Sequence, residues 1–239
     1  MALTQLWLTR HGESVGNVAA SRANAEGASV IELDIRDADV PLSPAGEEQA
    51  AALGEWLDTH RHQIGAFWCS PYLRARQTLE IAMGEASAPV LVDERLRDRE
   101  LGILDLLTSK GVQERHPEEM ARRRHLGKFY HRPPGGESWA DVVLRLRSFF
   151  ASVDAVSANS ALLVAHDAVV MLALYVLLGL DEKQLLEFAG QNTVTNASIT
   201  HLVREPAGWR LVEFSTVQHL QQEGAAVTAH SGDEHVAPR

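Results

Sequence analysis

The stretch Leu8–Asn17, LTRHGESVGN, decides how this chain is read, because an apolar run stops abruptly at Arg10, His11, Gly12 and Glu13. Leu3 to Thr9 alternates well enough for a strand. A strand entering a core favours apolar residues, so a cation, a titratable ring, a glycine and a carboxylate at its carboxyl end point to a site. The pattern recurs downstream. IGAFWCS (64–70) is a short apolar run that turns polar at Ser70 and Pro71, and SALLVAH (160–166) is a buried strand ending in His166.

Helical patterns separate these strands. LSPAGEEQAAALGEWLDTH (42–60) has Ser43 as N-cap, Pro44 at the first helical position, and Ala50, Leu53 and Leu57 at helical spacing. YLRARQTLEIAMG (72–84) closes on Gly84, a good residue just past a helix end. PVLVDERL (89–96) supplies a third strand. GESWADVVLRLRSFFASVDAVSA (136–158) reads as a long amphipathic helix capped by Ser138, with Val142, Val143, Leu146, Phe149, Phe150 and Val153 inward. DAVVMLALYVLLGL (167–180) is a helix ending at Gly179 and too short for a membrane span, and DEKQLLEF (181–188) is a shorter one. NASITHLVRE and GWRLVEFS around Pro206-Ala207-Gly208 form a closing hairpin. Between the first strand and the helix that Ser43 caps, the chain is expected to be loop.

Strands alternating with helices predict an α/β fold, a three-layer α/β/α sandwich whose central sheet is mostly parallel and covered on both faces, with ligands at the carboxyl ends of the strands. The polar stretch 96–136 is expected to form a loop and short-helix cover over those ends. Residues 1–220 are expected to form a single catalytic domain. Residues 221–239, which lack an apolar period, are expected to be a disordered tail.

The chain has 239 residues, 45% of them hydrophobic and 23% charged, a composition that excludes a mostly disordered chain. Its formal net charge of -10 gives no general support to nucleic-acid binding. The single cysteine, Cys69, and the absence of a leader-like or spanning segment predict a cytoplasmic protein without membrane association. The sequence leaves a homodimer open.

Two histidines at strand ends, with arginines at comparable positions, suit phosphoryl transfer, because guanidinium forks match phosphate oxygens and the transition state needs positioning and charge neutralisation. A neutral imidazole can attack phosphorus and a second histidine can share the negative charge, neither requiring a metal or other cofactor. A leaving alkoxide needs a proton, for which Asp98, Glu100 and Asp105 are candidates that spacing alone does not separate. The other histidines, including His60 and His62 and those near the carboxyl terminus, are expected at the surface and lack metal-site spacing.

LTRHGESVGN resembles the active-site signature of the histidine phosphatase, or phosphoglycerate mutase-like, superfamily. PLSPAGEEQA, CSPYLRARQTLE, LRDRELG, PPGGESWADVVLRLRSF, LLVAHDAVV and NASITHL resemble its further segments in the family's order, from about residue 4 to about 215. The resemblance implies that His11 is the nucleophile, that Arg10, Arg74 and His166 hold the phosphoryl group, and that Asp98 stands where the family usually has its acid, more often Glu. It also implies pocket roles for Glu13, Asn17 and Ser70, and contact between Glu137 and the phosphate-binding arginines. Tyr130 and Arg132, with Arg122 to Arg124 and Lys128, are candidates for the substrate entrance.

The expected activity is metal-independent hydrolysis of a small phosphorylated metabolite through a phosphohistidine. The alternatives are a cofactor-dependent phosphoglycerate mutase and an inactive phosphate-ligand binding module. The pair His166-Asp167 also admits a metal-dependent phosphohydrolase reading, against which its place after a buried strand argues. Gly16 stands where the family motif often has an aromatic residue, which weakens transfer of mutase specificity.

Overall fold

A computed structural model describes residues 3–85, 88–153 and 158–230. Strand β1 (Gln5–Arg10) leads into helix α1 (Val15–Ala25), and α2 (Pro44–His60) precedes β2 (Ala66–Cys69). Then come α3 (Leu73–Met83), β3 (Val90–Val92), the cover helices α4 (Ser109–Arg115) and α5 (Pro117–Tyr130), and α6 (Trp139–Val153). Strand β4 (Ser160–Ala165), helices α7 (Asp167–Leu178) and α8 (Glu182–Gln191), the hairpin β5 (Ile199–Glu205) and β6 (Gly208–Thr216), and α9 (Gln218–Gln222) complete the order.

The six strands form one sheet in the order β3-β2-β4-β1-β5-β6, parallel from β3 to β1 and antiparallel beyond. Side-chain alternation gives the sheet two buried faces. Leu6 and Leu8 of β1 and Ala161, Leu163 and Ala165 of β4 pack with α6 and α7, whereas Trp7, Leu162 and Val164 pack with α2 and α3. The expected three-layer α/β/α sandwich is therefore what forms. Helix α7 is buried almost all round, which explains why its sequence lacks a polar face, and it ends at Gly179 in the left-handed region.

Ser43 and Ser138 cap α2 and α6 as expected, accepting from Gly46 N and Asp141 N. Phe150, expected inward, is only partly buried, while the other five apolar positions of α6 are core. Residues 154–157 at the end of that expected helix lie outside the described residues.

Two expectations are corrected. Residues 15–25 are helical and not loop: Ser14 accepts from Asn17 N while Asn17 Oδ1 accepts from Ser14 N, so a capping box starts α1. Only Ala23 of that helix is buried, so no apolar period advertised it. The segment after 220 is not a free tail through residue 230. Gln49 Nε2 donates to the Ala226 carbonyl and Thr228 Oγ1, Asn196 N donates to the Thr228 carbonyl, and His230 Nε2 lies 2.8 Å from Glu13 Oε2. These polar contacts strap the segment across α2. Residues 231–239 lie outside the described residues.

The cover has its own small core of Leu104, Leu107 and Val112, packed with Val30, Leu101 and Met120. Among the described residues no helix is long and apolar enough to cross a membrane.

Candidate active site

Register brings the polar strand ends together. Strand β4 lies between β2 and β1, pairing Arg10 with Ala165 and Cys69 with Val164, so His11, His166 and Ser70 follow directly at neighbouring carboxyl ends. The ladder extends one step into the site, with His11 N donating to the Ala165 carbonyl and Ser70 N to that of Val164. The ring centroids of His11 and His166 are 5.2 Å apart.

Gly12 has no side chain for a reason that lies in α2. A Cβ there would run into the backbone of Gly46, and a Cβ on Gly46 would overlap the Glu13 carbonyl. Two glycines let the loop after β1 lie against the start of α2, where Ser43 Oγ donates to Glu13 Oε1 and Glu13 N donates to Gln49 Oε1. Gly12 N donates to Thr78 Oγ1, and Asn196 Nδ2 to the His11 carbonyl. The histidine backbone is thus held by three other elements.

His11 is buried, and its Nδ1 lies 2.6 Å from the Gly12 carbonyl. A carbonyl only accepts, so Nδ1 carries the proton and Nε2 keeps its lone pair, towards which Arg74 Nε donates at 3.2 Å. Burial first, then the charges of Arg74 and Arg10 and the neighbouring His166, push the His11 pKa well below its ordinary value. The ring is uncharged at neutral pH.

Arg74 is buried on α3 and braced on two sides: Nη2 donates to Asp98 Oδ2 at 2.9 Å and Nη1 to Asp37 Oδ1 at 3.0 Å. Its guanidinium lies over the Tyr72 ring, 5.0 Å from the centroid. Arg10 Nη1 donates to the Val194 carbonyl. His166 Nε2 meets Ser70 Oγ at 2.8 Å, while its Nδ1 lies 3.2 Å from Asp98 Oδ2, out of line for a hydrogen bond. Burial lowers the His166 pKa, with Asp98 opposing.

In this site Arg10 Nε is a buried donor without an acceptor, and His166 Nδ1, buried beside Asp98, makes no aligned hydrogen bond. Buried polar atoms are ordinarily satisfied, and here Arg10 adjoins His11 in the chain, the His166 ring is 5.2 Å from that of His11 and Arg74 donates to the His11 lone pair, an arrangement that suits an oxyanion. Burial raises the Asp98 pKa, but the charges of His166 and Arg74 outweigh it and hold the carboxyl well below the usual carboxylate range.

His11, Asp98 and His166 also place donor atoms within 4.8 Å of one another, close enough for a metal ion. The guanidinium of Arg74, in contact with both His11 and Asp98, opposes a dication there. Asp167, the partner in the metal-dependent reading, is not part of that group and lies in the first turn of α7.

The remaining expected residues separate. Glu13 and Ser70 touch the site's scaffold and His166 respectively, and Asn17 caps α1 while reaching Asn196 at 3.4 Å. Glu137 does not meet Arg10 or Arg74. It binds Arg97 Nη2 at 2.6 Å and Arg145 Nε at 3.0 Å, and Arg145 Nη2 in turn donates to the Asp98 carbonyl, so Glu137 braces the segment carrying Asp98. Tyr130 and Arg132 do not join the cradle: Tyr130 is exposed against Phe129, and Arg132 is bound by Asp141. Asp37, Tyr72, Gln49, Thr78 and Asn196 were not singled out by the sequence. Asp37 opens the three-residue 3-10 turn Asp37–Asp39, which has no apolar pattern, whereas Thr78, one helical turn after Arg74, follows helix spacing.

Residues 6–217 match the histidine phosphatase superfamily (branch 1). The chain is 30% identical over 164 residues to a Caenorhabditis elegans 6-phosphofructo-2-kinase/fructose-2,6-bisphosphatase, a match covering 69% of this chain and 32% of that protein. This chain spans about a third of the length of such bifunctional relatives. It is 32% identical over 181 residues to a Yersinia enterocolitica protein named "Probable phosphoglycerate mutase GpmB", covering 74% of this chain and 76% of that one. Among solved structures, the Shigella flexneri alpha-ribazole phosphatase superposes with a TM-score of 0.73 at 22% identity, covering 89% of this chain and 96% of that one, a likeness of fold. The mycobacterial glucosyl-3-phosphoglycerate phosphatase in complex with VO3 gives 0.71 at 26% identity, covering 90% and 100%. By the match over most of its length, this chain belongs to the histidine phosphatase superfamily, branch 1.

Proposed function

We propose that the protein is a metal-independent phosphomonoesterase that hydrolyses a small phosphorylated metabolite through a phosphohistidine at His11. One observation carries this reading: the unprotonated Nε2 of His11 faces Arg74, with the His166 ring 5.2 Å away and Arg10 Nε a buried donor without an acceptor. In the first step His11 Nε2 forms a bond to phosphorus as the ester P–O bond breaks. Arg10, Arg74 and His166 take the equatorial charge. A phosphate dianion on Arg74 competes with the Asp98 carboxylate for the guanidinium and sets negative charge beside it, which raises the Asp98 pKa so that it can carry a proton. That proton comes from solvent or from the ester, whose second pKa is about 6. Asp98 gives it to the leaving alkoxide, then takes one from the water that attacks phosphohistidine, releasing phosphate and restoring His11.

A mutase must keep water from the phosphoenzyme. Here Asp37, which contacts Arg74 directly, has 43% of its side chain exposed, and solvent beside the phosphate-binding guanidinium favours hydrolysis. The lone cysteine, Cys69, buried with its pKa pushed up to about 12, suits a reducing cytoplasmic setting. The test is a rapid-quench incubation with a labelled phosphomonoester: an acid-labile, base-stable phosphoenzyme is expected in the parent and none in His11→Ala, whose turnover should fall by about 10³-fold or more. Parent-level turnover by His11→Ala overturns the reading.

A further inference from the structure

Resting on the phosphatase reading, we propose that Gln49 is a positioning residue for the nucleophile: acting through the Gly12–Glu13 peptide, it keeps the proton of neutral His11 on Nδ1 and the lone pair on Nε2. An uncharged imidazole exists as two tautomers, and only one of them leaves a lone pair at Nε2. The Gly12 carbonyl selects that one by accepting from Nδ1 at 2.6 Å. In a trans peptide the C=O and the following N–H point to opposite sides of one plane, so whatever holds the Glu13 N–H aims the Gly12 carbonyl. Gln49 Oε1 holds it, accepting from Glu13 N at 2.8 Å. Arg74 Nε also favours a lone pair at Nε2, but its guanidinium is what phosphate claims. The Gly12 carbonyl is then the contact left to hold the tautomer once an ester is bound.

The Gln49 amide does this one way round only, and three backbone groups of fixed polarity set it. The His11 carbonyl only accepts, so Asn196 turns Nδ2 towards it at 3.1 Å and Oδ1 away. Thr228 Oγ1 donates to that Oδ1 at 3.2 Å, which leaves its lone pairs for Gln49 Nε2 at 2.9 Å. The Ala226 carbonyl accepts from the same Nε2 at 2.8 Å, and Oε1 is left facing Glu13 N, which only donates. The row of hydrogen bonds starts at the His11 carbonyl and closes on the His11 ring. Gln49 and Asn196 are both fully buried, so a lost partner leaves an unsatisfied group instead of a solvated one. Helix spacing explains the placement, since Gln49 stands one turn after Gly46, where α2 touches the loop after β1.

The experiment records nitrogen NMR of the histidine-labelled protein at about pH 8, where His11 is uncharged, with His11→Ala identifying the signal. Rapid-quench rates of phosphoenzyme formation and KM for p-nitrophenyl phosphate are measured alongside, well below each Tm. The parent should show His11 protonated at Nδ1. Gln49→Met fills the space and removes the acceptor, so it should shift the signal towards the Nε2–H tautomer and slow phosphoenzyme formation by about tenfold to hundredfold, with KM within about threefold. Gln49→Glu keeps an acceptor oxygen for Glu13 N and loses the amide donors, so it should lower Tm while retaining the tautomer and a rate within about fivefold of the parent. A parent His11 protonated at Nε2, or Gln49→Met with lowered Tm and neither tautomer nor rate changed, overturns the positioning role; the phosphatase reading then stands as long as the parent forms a phosphoenzyme. If Gln49→Met does not fold, the parent spectrum and Gln49→Glu decide, and loss of the Nδ1–H tautomer in Gln49→Glu overturns the role. No phosphoenzyme in the parent removes the phosphatase reading and the role with it.

Discussion

Arg74 shows how one side chain is kept ready for an anion before the anion arrives. An unpaired buried guanidinium is costly, and here Asp37 and Asp98 occupy its two Nη nitrogens while Nε is turned to His11. Phosphate must compete with both carboxylates. In the proposed mechanism Asp98 becomes the proton carrier once displaced, whereas Asp37 only competes for the guanidinium. Asp37→Asn keeps a carbonyl oxygen at the same reach but removes the charge, so inorganic phosphate should bind more tightly. The pair is partly exposed, so the gain is discounted to about 1 kcal/mol, roughly a threefold to fivefold fall in the competitive inhibition constant. An unchanged or higher constant would show that Asp37 is not competing for Arg74. None of this was legible in sequence. Arg10, His11 and His166 announce themselves as polar residues ending apolar strands, but Asp37 reaches Arg74 from the 3-10 turn Asp37–Asp39, too short for a period to relate position to direction.

At the level of elements, the site is a junction that needs close backbone approach. The start of α2 lies against the loop after β1, through Gly12 and Gly46, and Ser43 serves both as N-cap and as donor to Glu13. Strands and long helices were readable because apolar period and burial coincide in them, as at Ala50, Leu53 and Leu57. Helix α1 was missed because a capping box, and not an apolar stripe, defines it. The segment after α9 was misread for a related reason: its contacts to Gln49 and Asn196 run through backbone carbonyls and Thr228, which composition does not reveal. Gln49 is fully buried and its Nε2 is satisfied by Ala226 and Thr228, so deleting residues 224–239 should cost about 1–3 kcal/mol. Because Gln49 also accepts from Glu13 N, beside His11, the deletion should lower kcat together with Tm. A truncated protein with parent Tm and kcat would mean that this strap is not coupled to the site.

Across the whole molecule the buried ionisable groups set a pH window for folding. His11, His131, His166 and His219 are all buried, and desolvation is the first cause lowering the pKa of each. A histidine with a lowered folded pKa binds fewer protons folded than unfolded, so its contribution is complete above the unfolded value, about 6.5, and is lost as pH falls below it. Asp141, lowered to about 2 chiefly by Arg132 and Ser138 against the penalty of burial, and Asp98 act in the same direction below about pH 4. Asp105, whose pKa is raised, opposes them as a single group. On the alkaline side Cys69, pushed up to about 12 by burial, keeps its proton in the folded state, so its contribution is lost as pH rises above about 8.5. Stability should therefore be greatest between about pH 6.5 and 8.5. Each histidine that stays neutral while its unfolded counterpart titrates adds a slope of up to about 1.4 kcal/mol per pH unit, roughly 3–6 °C in Tm for a chain of this size. Melting curves from pH 4 to 9 in buffers without phosphate should show Tm falling from about pH 6.5 downward, and His219→Gln, which changes a histidine outside the site, should flatten that fall. A Tm constant between pH 5 and 7 would mean that the buried imidazoles gain protons in the folded protein as easily as in the unfolded chain, and the uncharged nucleophile on which the phosphoryl chemistry depends would be lost with them.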